Sequence, residues 1–140
     1  MKILVHELGL TGTYDDGRRR QRITVGDKRM DMTAIRLHLY KHLAPAGSLY
    51  VQLQDSNGVK IKDSDSVTIA SISSLNYFHG MVTFDLEVSL RRNTVYWFEL
   101  LSSGGYSYAA GAHIAWVQAQ NSLEFQLWGW RNALDSKGII

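Results

Sequence analysis

This chain of 140 residues contains no cysteine, a single proline and no long hydrophobic run. Without cysteine there is no disulfide framework, no thiolate metal site and no cysteine nucleophile. One proline argues against a proline-rich linker. No segment reaches the roughly 20 apolar residues of a membrane-spanning helix, and the apolar run after Met1 is too short for a signal peptide. We therefore expect a complete, soluble protein of one domain, residues 1–140, without a membrane partner.

A strong net charge is also missing, since 15 basic and 13 acidic side chains leave a charge of +2. This near balance gives no large field for attracting nucleic acid, which we do not expect as a partner. The chain has one basic run, Arg18-Arg19-Arg20 followed by Arg22. No aromatic residues are interleaved with it for stacking on bases. Because arginine forks pair well with carboxylates, this run favours contact with a protein partner.

The clearest pattern in the chain is an alternation of apolar and polar residues, best seen in the stretch 80–102. Every second side chain in 82–88 is apolar, as in a strand with one buried face. The segment 90–93 predicts a turn, in which Asn93 tolerates the left-handed backbone conformation. The segment 95–101 is rich in β-branched and aromatic residues and predicts a second strand. We interpret the stretch as a hairpin whose apolar face needs a second layer to cover it.

The segment 30–43 is compatible with either a helix or a strand. Ile35, Leu39 and Leu43 lie four residues apart, which suits a helix, whereas Ile35, Leu37 and Leu39 alternate with polar residues, which suits a strand. We predict a strand, because the alternation is unbroken and a proline and a glycine follow closely.

Shorter alternating runs, separated by turn residues, predict further strands along the whole chain, and no helix of ordinary length is required. About eight to ten short strands with regular turns indicate an antiparallel sandwich or barrel. The other expected strands are 3–8, 21–25, 49–54, 59–62, 67–72, 106–110, 113–118 and 123–128, with a turn at 102–105, a loop or arm at 9–22 and a loose tail at 132–140.

No group of side chains forms a known catalytic motif, so we do not expect an enzyme. The five histidines accompany no Gly-x-Ser-x-Gly elbow. Asp85 and Glu87 would lie about 6.5–7 Å apart on one strand face, a separation compatible with glycoside hydrolysis, but a solvated surface pair is far more common. Asp63 and Asp65 offer oxygen ligands that calcium accepts, but we prefer ordinary turn chemistry as their explanation. We therefore expect no metal and no cofactor, with a structural calcium ion as the alternative.

Aromatic residues are abundant for this length, with four tryptophans and seven tyrosines. If Tyr96 and Phe98 face inwards, Trp97 and Glu99 face outwards. An exposed ring can stack on a sugar or serve as an anchor in a protein interface, although a twist or bulge can also turn such rings inwards. The candidate contact residues for a partner or a glycan are Trp97, Trp128, Trp130, Tyr106, Tyr108, Arg18, Arg19, Arg20 and Arg22.

The order of these signals from Ala34 onwards resembles a known family. The segments that carry the resemblance are AIRLHLY (34–40), GSLYVQL (47–53), NG (57–58), VTIAS (67–71), MVTF (81–84) and NTVYWFEL (93–100). Their order and spacing are similar to those of jelly-roll sandwich modules of extracellular and phage virion proteins, which are related to carbohydrate-binding modules. Such a resemblance concerns architecture more than ligand, because one fold hosts many functions.

The resemblance implies an all-β antiparallel β-sandwich of jelly-roll type and a non-enzymatic structural protein of a tailed-phage virion. Because a secretion signal is missing, we expect a virion component that assembles in the host cytoplasm. The implied role is capsid decoration, in which a cement protein binds and stabilises the coat shell. Its expected partners are the phage major capsid protein and further copies of itself, as a homotrimer. The alternative is a carbohydrate-binding module or a phage receptor-binding or tail-tip domain, with a glycan as ligand.

Overall fold

The computed structural model describes residues 3–4, 14–15, 19–42, 46–72, 81–107, 113–116, 118–119, 122–123 and 125–131. All strand pairs in this part of the chain are antiparallel, and it contains no α-helix, which confirms the all-β prediction. Accordingly, none of the described residues belongs to a helix of the length and apolarity needed to cross a membrane. In chain order the strands are β1 (Ile3–Leu4), β2 (Tyr14–Asp15), β3 (Arg20–Thr24), β4 (Met30–His42), β5 (Ala46–Gln54), β6 (Lys60–Asp63), β7 (Val67–Thr68), β8 (Met81–Leu90), β9 (Val95–Ser107), β10 (His113–Trp116), β11 (Gln118–Ala119), β12 (Ser122–Leu123) and β13 (Phe125–Arg131).

The strands form two main sheets. Sheet I has the order β1-β13-β4-β8, and β10 pairs with the last four residues of β4. Sheet II has the order β2-β3-β9-β5-β6, and β7 pairs with β5 on the same side as β6. The short strands β11 and β12 pair with each other. From β3 to β5 and again from β7 to β9, the chain passes from one sheet to the other at each connection.

The predicted hairpin at 80–102 is wrong in its pairing. The two strands and the turn are present, and Asn93 adopts a left-handed φ of 54°. However, β8 pairs with β4 in sheet I, while β9 pairs with β3 and β5 in sheet II. The connection is held by the backbone N–H of Asn93, which donates to Gly26 O, and by the Tyr96 hydroxyl, which accepts from Arg91 N. The two strands therefore belong to different sheets, and each packs its apolar face against the opposite sheet instead of pairing with the strand that follows or precedes it in the chain.

One hydrophobic core fills the space between the sheets. The inward residues of both sheets belong to a single cluster, so the arrangement is sandwich-like. Full burial of a side chain as large as Phe84 or Phe98 contributes about 1.5–3 kcal/mol. The principal members are Ile35, Leu37, Leu39, Phe84, Leu86, Leu90 and Leu127 from sheet I and Ile23, Val51, Leu53, Tyr96 and Phe98 from sheet II.

The ambiguous segment 30–43 is confirmed as a strand, because β4 runs from Met30 to His42. Two other predictions need correction. In 67–72 only Val67–Thr68 is strand, and Ile69–Ser71 forms a 3-10 turn that buries Ile69 and Ile72 in the core. The predicted turn at 102–105 lies inside β9, which continues along β5 with a register shift between Ala46 and Ser48.

The predicted arm at 9–22 is described only in part. Tyr14–Asp15 and the residues from Arg20 onwards are strand residues of sheet II, and Arg19 before them has a left-handed φ of 52°. The remainder of the arm and the predicted tail at 132–140 lie outside the described residues.

A backbone contact within sheet I requires a glycine. The register of β13 against β4 shifts between Trp128 and Gly129. A β-carbon at Gly129 would lie 2.1 Å from Asp31 O and 2.8 Å from Met32 Cα, well inside any normal contact distance. A bulge with a glycine therefore allows these two backbones to approach closely.

The free edges of the two sheets meet along one side of the molecule. Lys62 Nζ donates to Glu87 O at 2.7 Å, and Asp65 N donates to Asp85 O at 3.0 Å. Both bonds join the β6 side of sheet II to the outer edge of β8 in sheet I. This seam satisfies two carbonyl groups of β8 that its pairing with β4 leaves free.

Candidate functional site

The most elaborate polar arrangement in the described residues lies on the outer face of sheet II. Alternation along β3, β5 and β9 turns one set of side chains away from the core, and the register of the strands places these side chains next to one another. On the β3 side of β9, Arg20 is opposite Glu99 and Arg22 is opposite Trp97. On the β5 side of β9, Gln52 is opposite Glu99 and Gln54 is opposite Trp97. We call this surface the Trp97 face, defined by Arg20, Arg22, Gln52, Gln54, Trp97 and Glu99.

The centre of the Trp97 face is a buried pair of polar side chains. Gln54 is 1% exposed and Glu99 is 6% exposed, although both point away from the core. Gln54 Nε2 donates to Glu99 Oε1 at 2.6 Å and to Gln52 Oε1 at 3.0 Å. These bonds offset the cost of removing an amide and a carboxylate from water, and they fix the positions of both groups.

The network continues to the edge of the sheet. Gln52 Nε2 donates to Asp63 Oδ1 at 3.1 Å, and Lys60 Nζ lies 2.9 Å from Asp63 Oδ2. Partial burial alone would raise the pKa of the Asp63 carboxyl. The donors Lys60 and Gln52 outweigh that effect, so the pKa is lower than that of an ordinary aspartate. Asp63 therefore remains ionised at neutral pH and connects β6 to the Trp97 face.

Arg20 covers part of this network. Its guanidinium carbon lies 3.9 Å from the centroid of the Trp97 ring, a cation–π contact. Its Nη1 also lies 3.5 Å from Gln54 Oε1. Because β9 separates β3 from β5, the Arg20 side chain must cross over β9 to make this contact. Trp97 remains partly exposed. The side chain of its register neighbour Arg22 is exposed and has no hydrogen-bond or ion-pair partner among the described residues.

The outer face of sheet I carries a different arrangement around Trp128. This side chain is partly exposed, and its Nε1 donates to Gln126 Oε1 at 3.0 Å. Arg36 lies opposite Gln126 and Thr83, and its buried Nε has no acceptor in the part of the chain that the structure describes. The Trp128 indole is thus bonded within its own strand rather than to a polar network that spans strands.

The largest exposed aliphatic side chains of the described residues lie together at the edge of sheet II. Val59 is 60% exposed and Ile61 is 46% exposed. Beside Ile61 a groove of about 370 Å³ runs between the two sheets, lined also by Leu53, Val88 and Tyr96. The turn before this edge is rigid, because Asp55 Oδ1 accepts from the backbone N–H groups of Asn57 and Val59. We call Val59, β6 and this groove the β6 edge.

An acidic cleft of about 420 Å³ lies farther along the seam, lined by Thr33, Lys62, Asp63, Asp65, Asp85, Leu86 and Glu87. The carboxylates of Asp85 and Glu87 are exposed, as expected for a solvated pair. Within the described part of the chain, no three histidine or acidic side chains are grouped closely enough to hold a metal ion. The carboxylates of the cleft therefore place negative charge along the seam, where Lys62 already donates a hydrogen bond to β8.

The sequence-predicted contact residues separate into three groups. Arg20, Arg22 and Trp97 come together on the Trp97 face, and Arg19 is exposed just before β3. Trp128 lies on the outer face of sheet I, and so on a different sheet from these residues. Arg18 and Tyr108 lie outside the described residues, and for Tyr106 and Trp130 the backbone alone is described.

Sequence reasoning did not identify Gln52, Gln54 and Glu99 as parts of one site. The sequence does indicate that these three side chains face away from the core, because each alternates with the core residues of its strand. What was missing was the register that places β5 beside β9, since the two strands are more than 40 residues apart in the chain.

Comparison of the sequence with protein-family models found no match, and comparison with curated proteins found no match either. The geometry of the described surfaces is therefore the basis for the functional proposals that follow.

Proposed function

We propose that the two sheets form a jelly roll. Taking β1, β3, β4, β5, β6, β8, β9 and β13 as the eight strands, sheet I has the order 1-8-3-6 and sheet II the order 2-7-4-5. This is the order produced by two interlocked Greek keys in a double-sheet jelly roll. The passage of the chain between sheets at β3–β5 and β7–β9 supports the same topology.

On this fold we propose a non-enzymatic structural protein of a tailed-phage virion, a capsid decoration protein that binds and stabilises the coat shell. The observation that carries the proposal is the β6 edge, where the most exposed aliphatic side chains of the described residues lie beside a groove with apolar walls. Apolar side chains on an edge strand are a liability for a protein that stays alone, because edges pair with other chains. They suit a protein whose edge is covered in an assembly.

The β6 edge also offers polar groups that would fix the position of a bound coat subunit. Asp55 and Arg91 stand at the groove, and Lys60 is exposed beside it. A segment of the coat protein that places an aliphatic side chain in the groove would cover Ile61 and Val59 together. Several copies on one shell, as a homotrimer, would add modest contacts through multivalency.

The test is cosedimentation with coat shells assembled from the major capsid protein of the same genome. We expect wild-type protein to sediment with assembled shells and not with free coat subunits. The double variant Val59→Lys/Ile61→Lys should lose shell binding, while Thr83→Lys, which adds one positive charge at an exposed strand position of sheet I, should retain it. Full binding by the double variant, with circular dichroism equal to wild type, would contradict the proposal.

A second function, glycan binding, is favoured by one specific observation on the Trp97 face. A partly exposed indole stands on a surface that a buried amide and carboxylate hold rigid, and an exposed aromatic ring of this kind can stack on a sugar ring. A glycan array tests this function. Binding that is lost in Trp97→Ala and kept in Trp128→Ala supports it, and an array without any bound glycan argues against it.

A further inference from the structure

We propose that the Trp97 face selects acidic glycans, with a uronic acid ring stacked on Trp97 and its carboxylate paired with Arg22. This inference rests on the second proposed function, glycan binding, and names its ligand class. It is independent of shell attachment through the β6 edge, which uses other residues.

The charge balance of the face is the first argument. Glu99 receives a hydrogen bond from Gln54, and Asp63 receives bonds from Lys60 and Gln52. Glu99 on this face and Asp63 at its border are thus already engaged by donors of this chain. The Arg22 side chain is exposed and has no partner among the described residues. Among the described residues of this face, the charge that remains available to a ligand is therefore positive.

The position of that charge is the second argument. Arg22 and Trp97 are directly opposite each other on β3 and β9. Side chains in such register start about 4.5–5.5 Å apart at their β-carbons. A ring stacked on the indole would bring a carboxylate on its rim within reach of the Arg22 fork, and charge-assisted pairs of this kind are the stronger class of hydrogen bond. A neutral sugar would leave Arg22 unused.

The rigidity of the face is the third argument. Arg20 is held against one side of the indole and near Gln54, and Gln54 is buried and bonded to two neighbours. The indole therefore does not have to be ordered when a ligand arrives, which reduces the entropic cost of binding. An acidic protein segment could also pair with Arg22, but it would not require the ring of Trp97. The experiment below separates these two partners.

The probes are tetragalacturonate, its methyl ester, which has the same rings without charge, and tetraglutamate, which has the same charge without rings. We expect calorimetry to show binding of tetragalacturonate, with affinity at least tenfold lower for the ester and for tetraglutamate, equivalent to about 1.4 kcal/mol. Binding should weaken as salt rises from low to physiological concentration, because an exposed ion pair is screened.

Three variants assign the residues. Arg22→Gln should bind the acid and the ester equally, at the affinity of the wild-type protein for the ester. Trp97→Ala should lose binding of both sugars, and Trp97→Phe, which keeps a smaller ring, should retain part of it. The matched controls Arg92→Gln and Trp128→Ala, at exposed and partly exposed positions off this face, should bind as wild type does.

Three results would overturn the inference. Equal affinity for acid and ester would leave neutral glycan binding standing and remove acid selectivity. Equal affinity for tetraglutamate would assign the face to an acidic protein segment. No binding of tetragalacturonate, hyaluronan, alginate or heparin would remove the acidic-glycan inference, and the glycan array would then decide separately whether any neutral glycan binds. The shell experiment would remain as an independent test of the first function.

Discussion

The Trp97 face and the β6 edge are neighbouring surfaces with opposite properties. On the Trp97 face, polar side chains are buried on the outside of a sheet, with Gln54 and Glu99 almost inaccessible to water. At the β6 edge, Val59 and Ile61 are apolar and exposed. The usual arrangement, apolar inside and polar outside, is thus reversed in two places only a strand or two apart.

The difference shows that burial alone does not identify a binding surface. Gln54 is buried because its neighbours bond to it, and the network keeps its own shape without a ligand. Ile61 lies on β6, the last strand of sheet II, with which no strand other than β5 pairs in the described residues. A preorganised polar face suits a small, specific ligand, and an uncovered apolar edge suits a protein subunit.

The largest effect on stability should come from breaking the buried network with Gln54→Leu. Leucine cannot donate to Glu99 or Gln52, so a carboxylate stays buried without one of its donors. We expect the free energy of unfolding to fall by about 1–3 kcal/mol, measured by urea denaturation. The matched control is Gln126→Leu on sheet I, where only the bond from Trp128 is lost and a smaller change is expected. Equal losses in the two variants would show that the Trp97 network has no special stability.

A smaller, pH-dependent effect should follow from Asp63→Asn, which removes the charge that pairs with Lys60 at the link between the two surfaces. The folded-state pKa of Asp63 is lowered, so its stabilising contribution is present above the ordinary aspartate value, about pH 3.9. That contribution is lost as the pH falls through the lowered value. We expect the variant to be less stable than wild type by under about 1 kcal/mol at pH 7, because the pair with Lys60 is largely exposed.

Denaturation curves for both proteins between pH 2 and pH 7 check this prediction. The difference between them should shrink towards zero at the acid end of the series. Asp65→Asn, at an exposed position two residues away, serves as the control and should have a smaller effect at pH 7. A difference that grows on acidification would mean that Asp63 does not stabilise the fold through its charge.

The smallest effect should come from the β6 edge itself. Val59→Thr/Ile61→Thr keeps the β-branched shape and removes exposed methyl groups, so the midpoint of thermal unfolding should change by the equivalent of less than about 0.5 kcal/mol. The same chemical change at Val51, fully buried in sheet II, should cost about 1–3 kcal/mol through an unpaired hydroxyl. A large loss in the edge variant would indicate that the edge stabilises the monomer and is not reserved for a partner.

Much of the strand content was predictable because the alternation has a strong physical cause. Residues of β4, β5 and β8 alternate since one face of each is in the core, and that signal even distinguished strand from helix in 30–43. The 3-10 turn at Ile69–Ser71 was missed because a short apolar run looks the same whether it is extended or turned. The strand character of 102–105 was missed because glycines were taken as a turn, whereas β5 supplies a partner for them.

The candidate site was predictable only residue by residue. Trp97, Arg20 and Arg22 were identified from composition and parity, and the Trp97 face contains all three. The partners that make it a site, Gln54 and Glu99, are ordinary polar residues in the sequence. The pairing of β8 with β4 rather than with β9 was missed for the same reason, since a tight turn in the sequence does not say which sheet the next strand joins.

By itself, then, the sequence determined that this is an antiparallel all-β chain without disulfides, and it determined which side chains of each strand face the core. Those properties follow from local periodicity and composition, which act over a few residues. Tertiary structure alone decided which strands lie side by side, and so which outward residues meet: Arg20 with Trp97, and Gln54 with Glu99. The physical reason is that these contacts join strands far apart in the chain, and only the packing of two sheets around one core brings them into register.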